Sequence, residues 1–332
     1  MRVLNEPVFS SRPRRLIHPD LLQPKSRLGD LLSRQLLFLD QPAHTRLRSL
    51  ITRVLSARRI RGLAGQITTL AQDACGAPGA AELDVVRDVA RPVPLAVVGR
   101  LLGLPPADHD TLRVMSDAYT RVITGVDRTT DDATLLALES FIDYALEIIR
   151  DKRTHPGDDA TSELIAAADS LGGFDDMDLA ANLVMLFASG HQTTSGLIAG
   201  AILSRLGPGA EQLTAAFDVE AALAAVSPSR FISRTATADI LLGDRLITAR
   251  QPVLVLLAAI NRAAAAPRLH LAFGHGPHRC PGALLARLEA QIVVNEVLTR
   301  WHDALPATGM VRWSANVNTP CPVSLPLIRG VK

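Results

Sequence analysis

Long hydrophobic runs are missing from this chain. The longest, Pro252 to Ile260, falls far short of the roughly 20 apolar residues that a bilayer-spanning helix needs. Net charge is also scarce: 35 Lys and Arg stand against 33 Asp and Glu, leaving +2. No polybasic field therefore marks the chain as a nucleic-acid or membrane-surface binder. Only three cysteines occur in 332 residues. The opening stretch, Met1 to Arg15, is charged, is broken by Pro7 and Pro13, and lacks the apolar core of a secretory leader. These gaps predict a cytoplasmic protein with reduced thiols. Repeats and low-complexity linkers are absent as well, so one domain over 1–332 is the expected organisation. What is present, 48% apolar and 20% charged residues, suits a folded chain with a sizeable core.

Periodicity predicts a mainly α protein with small β-sheets. Apolar positions recur at helical spacing over 178–206 and 281–301, and near 44–57, 61–74, 84–103, 110–124, 132–154 and 210–225. Breaks rich in Pro, Gly and Asp at 76–79, 105–110 and 156–159 separate them. The run 238–247 reads as a hairpin turning at Gly243-Asp244, and 251–259 as the next buried segment.

The chemistry concentrates around one cysteine, in Phe273-Gly274-His275-Gly276-Pro277-His278-Arg279-Cys280-Pro281-Gly282. Three glycines and two prolines impose backbone shapes that ordinary residues resist. Pro281 suits the first position of the following amphipathic helix, which sets Cys280 beside free amide groups and favours loss of its proton. Three readings of the residues stay open: a ligating or nucleophilic cysteine, half a zinc site with His275 and His278, or a packed thiol. Cys75 and Cys321 carry no motif and read as packed thiols. His44 and Arg48 share one helix face, which suits an anion or a solvated surface pair. Arg234 sits in the apolar strand 231–236 and reads equally well as an edge charge.

The cysteine run resembles the haem-binding loop of the cytochrome P-450 superfamily, F-G-x-G-x-H-x-C-x-G followed by an L-A-R-x-E helix. Phe273, Gly274, Gly276, His278, Cys280 and Gly282 fill its fixed positions, and Leu285-Ala286-Arg287 and Glu289 fill the helix. Phe38-Leu39-Asp40-Gln41-Pro42-Ala43-His44-Thr45-Arg46-Leu47-Arg48 is similar to the D-P-P-x-H-T-R-L-R signature. Ala188-Ser189-Gly190-His191-Gln192-Thr193-Thr194 resembles the A-G-x-E-T-T centre of the helix above the haem. The resemblance implies a haem-thiolate monooxygenase with haem b as cofactor and Cys280 as iron ligand. It implies His278, His44, Arg48 and Arg234 at the propionates, with Phe273, Gly274, Gly276 and Gly282 shaping the cradle. Gly190, Gln192 and Thr193 then stand at the oxygen pocket. Its partners would be a small organic substrate and a ferredoxin- or flavin-type electron donor, docking near Arg279 and Arg287, with no nucleic acid and no membrane.

Several departures accompany the likeness. The first helix and sheet strands of the family pattern are absent, which predicts unpaired sheet edges, including that of 238–259. The E-x-x-R pair falls on Ala221 and Ala224, and Glu220 beside it is not expected to restore it. The meander shrinks to Ala263 through His270, and Gln192 replaces an ionisable acid. These losses imply weakened haem binding. The alternative they suggest is a catalytically inactive helper of a partner enzyme, such as a glycosyltransferase, or a decayed gene product.

Overall fold

A computed structural model describes residues 1–12, 26–77, 79–124, 131–206, 216–264, 266–306 and 311–329. The helices are α1 (Arg2–Asn5), α2 (Arg27–Arg34), α3 (Ala43–Val54), α4 (Ala57–Gly62), α5 (Ala64–Ala74), α6 (Pro92–Leu102) and α7 (His109–Ile123). They continue with α8 (Asp132–Thr154), α9 (Ala160–Leu171), α10 (Asp176–Leu203), α11 (Val219–Val226), α12 (Leu257–Ala263) and α13 (Ala283–Arg300). The strands are β1 (Phe9–Ser10), β2 (Glu82–Asp84), β3 (Ile232–Ala236), β4 (Ile240–Leu242), β5 (Arg245–Ile247), β6 (Pro252–Val255), β7 (Ala304–Pro306) and β8 (Pro326–Arg329).

The axis of the fold is α10. Its 28 residues open on a capping box, Asp175 accepting from the Asp178 amide and Asp178 from the Asp175 amide. Leu179 to Ala188 and Thr194 to Ile202 are almost continuously buried, because α6, α8 and α13 pack around the helix on several sides. A helix apolar on all faces belongs at the centre of a core. Three small antiparallel sheets lie outside it, in the orders β1-β3-β6, β2-β8-β7 and β4-β5. In the first, Phe9 faces Ala236 and Arg234 faces Val253. Among the described residues no strand covers the outer side of β6.

Several sequence expectations shift. The predicted helix 84–103 is three pieces. Asp84 ends a strand and caps a π-helical turn over Val85–Ala90, and Pro92 then starts α6. The predicted helix 61–74 splits at Gly62 and Leu63. Helices α2 and α9 are additional. Asp159, read as part of a break, is the cap of α9 and accepts from the Ser162 amide at 2.8 Å. The segment 251–259 is not buried throughout, since Leu254 and Leu256 are about half exposed. Only the end of the helix expected over 210–225 forms α11; 210–215 lie outside the described residues.

Candidate functional site

A cavity of about 310 Å3 lies between α10 and the cysteine loop. Cys280, His278, Phe273, Gly274 and Gly282 line it from the loop side, and Gly190 and Thr193 from α10. Arg48 of α3 and Arg234 of β3 reach its edge. The cavity also takes in Leu37, Val98, Leu101 and Leu257, apolar residues that no motif signals. Gly276 and His44 stand just outside it.

The loop holds its shape through its own backbone. The Cys280 amide donates to Phe273 O at 2.9 Å, closing the run on itself. Gly274 (φ +68°) and Gly276 (φ +74°) occupy the left-handed region that side chains resist. A Cβ on Gly276 would come within 2.5 Å of Leu4 O, so α1 packs directly against the loop. Gly282 is the N-cap and α13 begins at Ala283, two residues later than Pro281 suggests, yet the Cys280 sulfur still lies against the N-cap amide. Burial pushes its thiol up, while the Gly282 amide and the charges of Arg48, Arg279 and Arg287 pull it down. Without a cation at sulfur the thiol keeps its proton; a coordinating metal removes it.

Around the cavity edge, four nitrogen-rich side chains gather without an acid to pair them. His44 is 2% exposed, and neither ring nitrogen has a hydrogen-bond partner. Its ring stacks on His278 with centroids 4.0 Å apart. Arg234 is 6% exposed and donates to Ser233 O at 2.8 Å. His278 Nε2 lies 3.0 Å from Ser11 Oγ. Burial lowers the proton affinity of His44, Arg48 and Arg234, and takes His278 down to about 3. Among the described residues none of the four makes an ion pair with a carboxylate. Buried donors left without acceptors are costly, and an anion here relieves that cost. A sulfur on one wall and basic side chains without a carboxylate partner at the rim fit an iron porphyrin with two carboxylate arms. By contrast, no three His, Cys, Asp and Glu side chains converge on one point among the described residues, as a zinc site would require.

On α10, Thr193 Oγ1 donates to Ser189 O at 3.1 Å. Gln192 turns away from Thr193, its Nε2 donating to Asp117 Oδ1 at 3.0 Å and to Ser116 O at 3.3 Å. No acid–alcohol pair forms there. Gly190 answers to packing, since a Cβ would sit 2.7 Å from Val98 Cγ2 on α6. The small residue therefore sets how closely α6 approaches α10.

Glu220 departs most from expectation, because it does restore an ion network. Arg287 Nε donates to Glu220 Oε1 at 2.5 Å, and Arg287 Nη2 to Oε2 at 3.0 Å. His270 Nε2 reaches Oε2 at 3.0 Å. The Ala272 amide donates to His270 Nδ1, which leaves Nε2 as the protonated nitrogen facing Glu220. The Arg287 guanidinium also lies over the Phe273 ring, 4.4 Å from its centroid. Asn261 of α12 adds support, accepting from the Leu271 amide and donating to Ser227 Oγ. The network thus joins α11, α13 and the start of the cysteine loop across different elements. Sequence reading missed it because it looked for both charges on one helix. Arg287 is occupied by this pairing, so of the two arginines assigned to partner docking only Arg279 is free for it.

No family model matches the chain. It is 33% identical over 310 residues to cytochrome P450 107B1 of Saccharopolyspora erythraea, a match spanning 86% of this chain and 75% of the relative. It is 34% identical over 330 residues to 20-oxo-5-O-mycaminosyltylactone 23-monooxygenase of Streptomyces fradiae, spanning 89% and 74%. Among solved structures, ligand-free CYP164A2 of Mycobacterium smegmatis superposes with a TM-score of 0.85 at 28% identity, covering 98% of this chain and 88% of that one.

Proposed function

The chain belongs to the cytochrome P450 superfamily, and from that premise we propose that it is a haem-thiolate monooxygenase inserting one oxygen atom from O2 into a small organic substrate. Residues 1–332 form its single haem domain. The observation that carries the proposal is one cavity walled by the Cys280 thiol, with His44, which has no hydrogen-bond partner, and Arg48, Arg234 and His278, none paired with a carboxylate among the described residues, gathered at its edge. Haem b bound there would supply oxygen activation. Cys280 would be its ligand, with the Gly282 amide and nearby arginine charge favouring the sulfur anion. His44, Arg48, Arg234 and His278 would hold its carboxylates. Gly274 and Gly276 give the loop the left-handed backbone that shapes this wall.

Thr193 offers a hydroxyl in the cavity lining, and Gln192 cannot ionise, so proton entry relies on Thr193 and solvent. Leu37, Leu257 and the α10 face hold the substrate's apolar body. Electrons arrive from a small acidic ferredoxin- or flavin-type carrier, for which Arg279 offers positive charge on the cysteine side. No described helix is long and apolar enough to cross a membrane; a cytoplasmic location is the reading we carry forward.

The test is turnover of the haem-loaded chain with a ferredoxin and its reductase under isotopically heavy O2. One heavy oxygen atom in product, lost on Cys280→Ala, supports the reading. A second reading, the inactive helper, draws on Gln192 being tied to Asp117 instead of paired with Thr193. A colourless protein that co-purifies stoichiometrically with a partner enzyme would favour that reading.

A further inference from the structure

Two further cavities continue from the one above Cys280, and the cysteine loop lines neither of them. The middle cavity, about 270 Å3, shares Ser189, Thr193 and Ile232 with the first and is walled by Leu37, Phe38, Ile123 and Phe231. The outer one, about 500 Å3, shares Thr120, Gln192 and Thr319 with the middle. The middle cavity mixes these apolar walls with Arg12, Arg234 and several hydroxyl side chains, while more charged side chains line the outer one.

Three arginines line the outer recess: Arg91 where α6 begins, and Arg113 and Arg121 on α7. Asp117 is the only carboxylate among its described lining residues. It meets Arg113 at 3.7 Å and accepts from Gln192. Arg91 and Arg121 make no ion pair among the described residues, so the recess holds two positive charges in excess. Like charges gathered in a concavity repel one another, and an anion among them relieves that repulsion. Planar, forked guanidinium groups favour a carboxylate in particular. Gln192 suits the same purpose: an acid at that position would face Asp117 and cancel a further arginine charge.

We propose that the recess formed by Arg91, Arg113 and Arg121 is a carboxylate subsite, and that the substrate is an aliphatic carboxylic acid. Its charged end lies among these arginines, and its apolar body runs past Gln192 and Thr193 toward Cys280. The assignment of the far end as the oxidised end rests on the haem reading; the carboxylate subsite itself does not.

The experiment is calorimetric titration of the purified full chain with sodium dodecanoate and with dodecan-1-ol, with and without bound haem. Dodecanoate should bind at least about tenfold tighter than the alcohol, equivalent to one charge-assisted contact. Rising salt should shrink that preference, because the recess is open to solvent. In Arg91→Gln/Arg121→Gln the preference should vanish while alcohol affinity holds. Should the double variant fold poorly, the single Arg121→Gln replaces it and should weaken dodecanoate alone. Equal affinities in the wild type, or a preference that survives both variants, overturn the proposal. A chain that refuses haem yet keeps the preference removes the oxygenase reading and leaves the subsite standing; a haem-loaded chain without the preference does the reverse.

Discussion

Replacing Glu220 by Ala tests whether the cross-element network has taken over support of the cysteine loop. The carboxylate makes two hydrogen bonds with Arg287 and one with His270, and the Glu220 and Arg287 side chains are 23% and 27% exposed. Breaking a fully buried pair costs about 3–5 kcal/mol, whereas a surface pair contributes at most about 1 kcal/mol. Quarter exposure puts this pair between them, at about 2 kcal/mol. An entropy of unfolding near 2.1 cal/mol/K per residue gives roughly 0.7 kcal/mol/K for this chain, so Tm should fall by about 3 °C. Thermal unfolding of Glu220→Ala, Arg287→Met and the double variant isolates the coupling. A coupling of about 1.5–2 kcal/mol is expected, together with faster haem loss in both single variants, because Arg287 also holds Phe273. A coupling below about 0.5 kcal/mol would show the contacts to be incidental.

Gly190→Ala should destabilise by about 1–3 kcal/mol through its clash with Val98, and adding Val98→Ala should recover most of the loss in a denaturant melt. Acid should weaken the protein through its buried neutral histidines. His191 is 4% exposed and burial takes its pKa to about 4, so the unfolded chain takes up the proton first. Its contribution is whole above about pH 6.5 and lost as pH falls toward 4, roughly 3 kcal/mol in all. A stability profile flat across that window, or unchanged in His191→Asn, contradicts the assignment. Glu289 is fully buried with both carboxylate oxygens unpartnered, and burial raises its pKa well above the usual range. Glu289→Met should therefore stabilise, by about 1–3 kcal/mol, with the gain growing as pH rises above about 4.5. A loss of stability on that change would reveal a partner for the carboxyl.

Local signals carried far in this sequence. The rigid spacing of glycines and prolines around Cys280 marked the loop, and helical periodicity marked α7, α8, α10 and α13 close to their observed limits. His44, Arg48, Arg234 and His278, far apart in the chain, do gather at one cavity rim. What stayed hidden depends on contacts between elements. The Glu220–Arg287 pair spans two helices, and the arginine recess draws on α6, α7 and α10. Whether the Cys280 thiol keeps its proton turns on its burial, which pushes it up against the pull of the Gly282 amide and three arginines. Capping ambiguity also misled: Asp159 resembles a loop residue, and Asp84 the first residue of a helix, until the amides they accept from are known.

The most direct measurement is the absorption spectrum of the reduced, carbon monoxide-treated protein after haem loading, taken for wild type and for Cys280→Ala. A thiolate-type band in the wild type that disappears with the sulfur is the predicted result. A folded wild type that takes up no haem, or a variant that binds haem with an unchanged spectrum, would contradict ligation by Cys280.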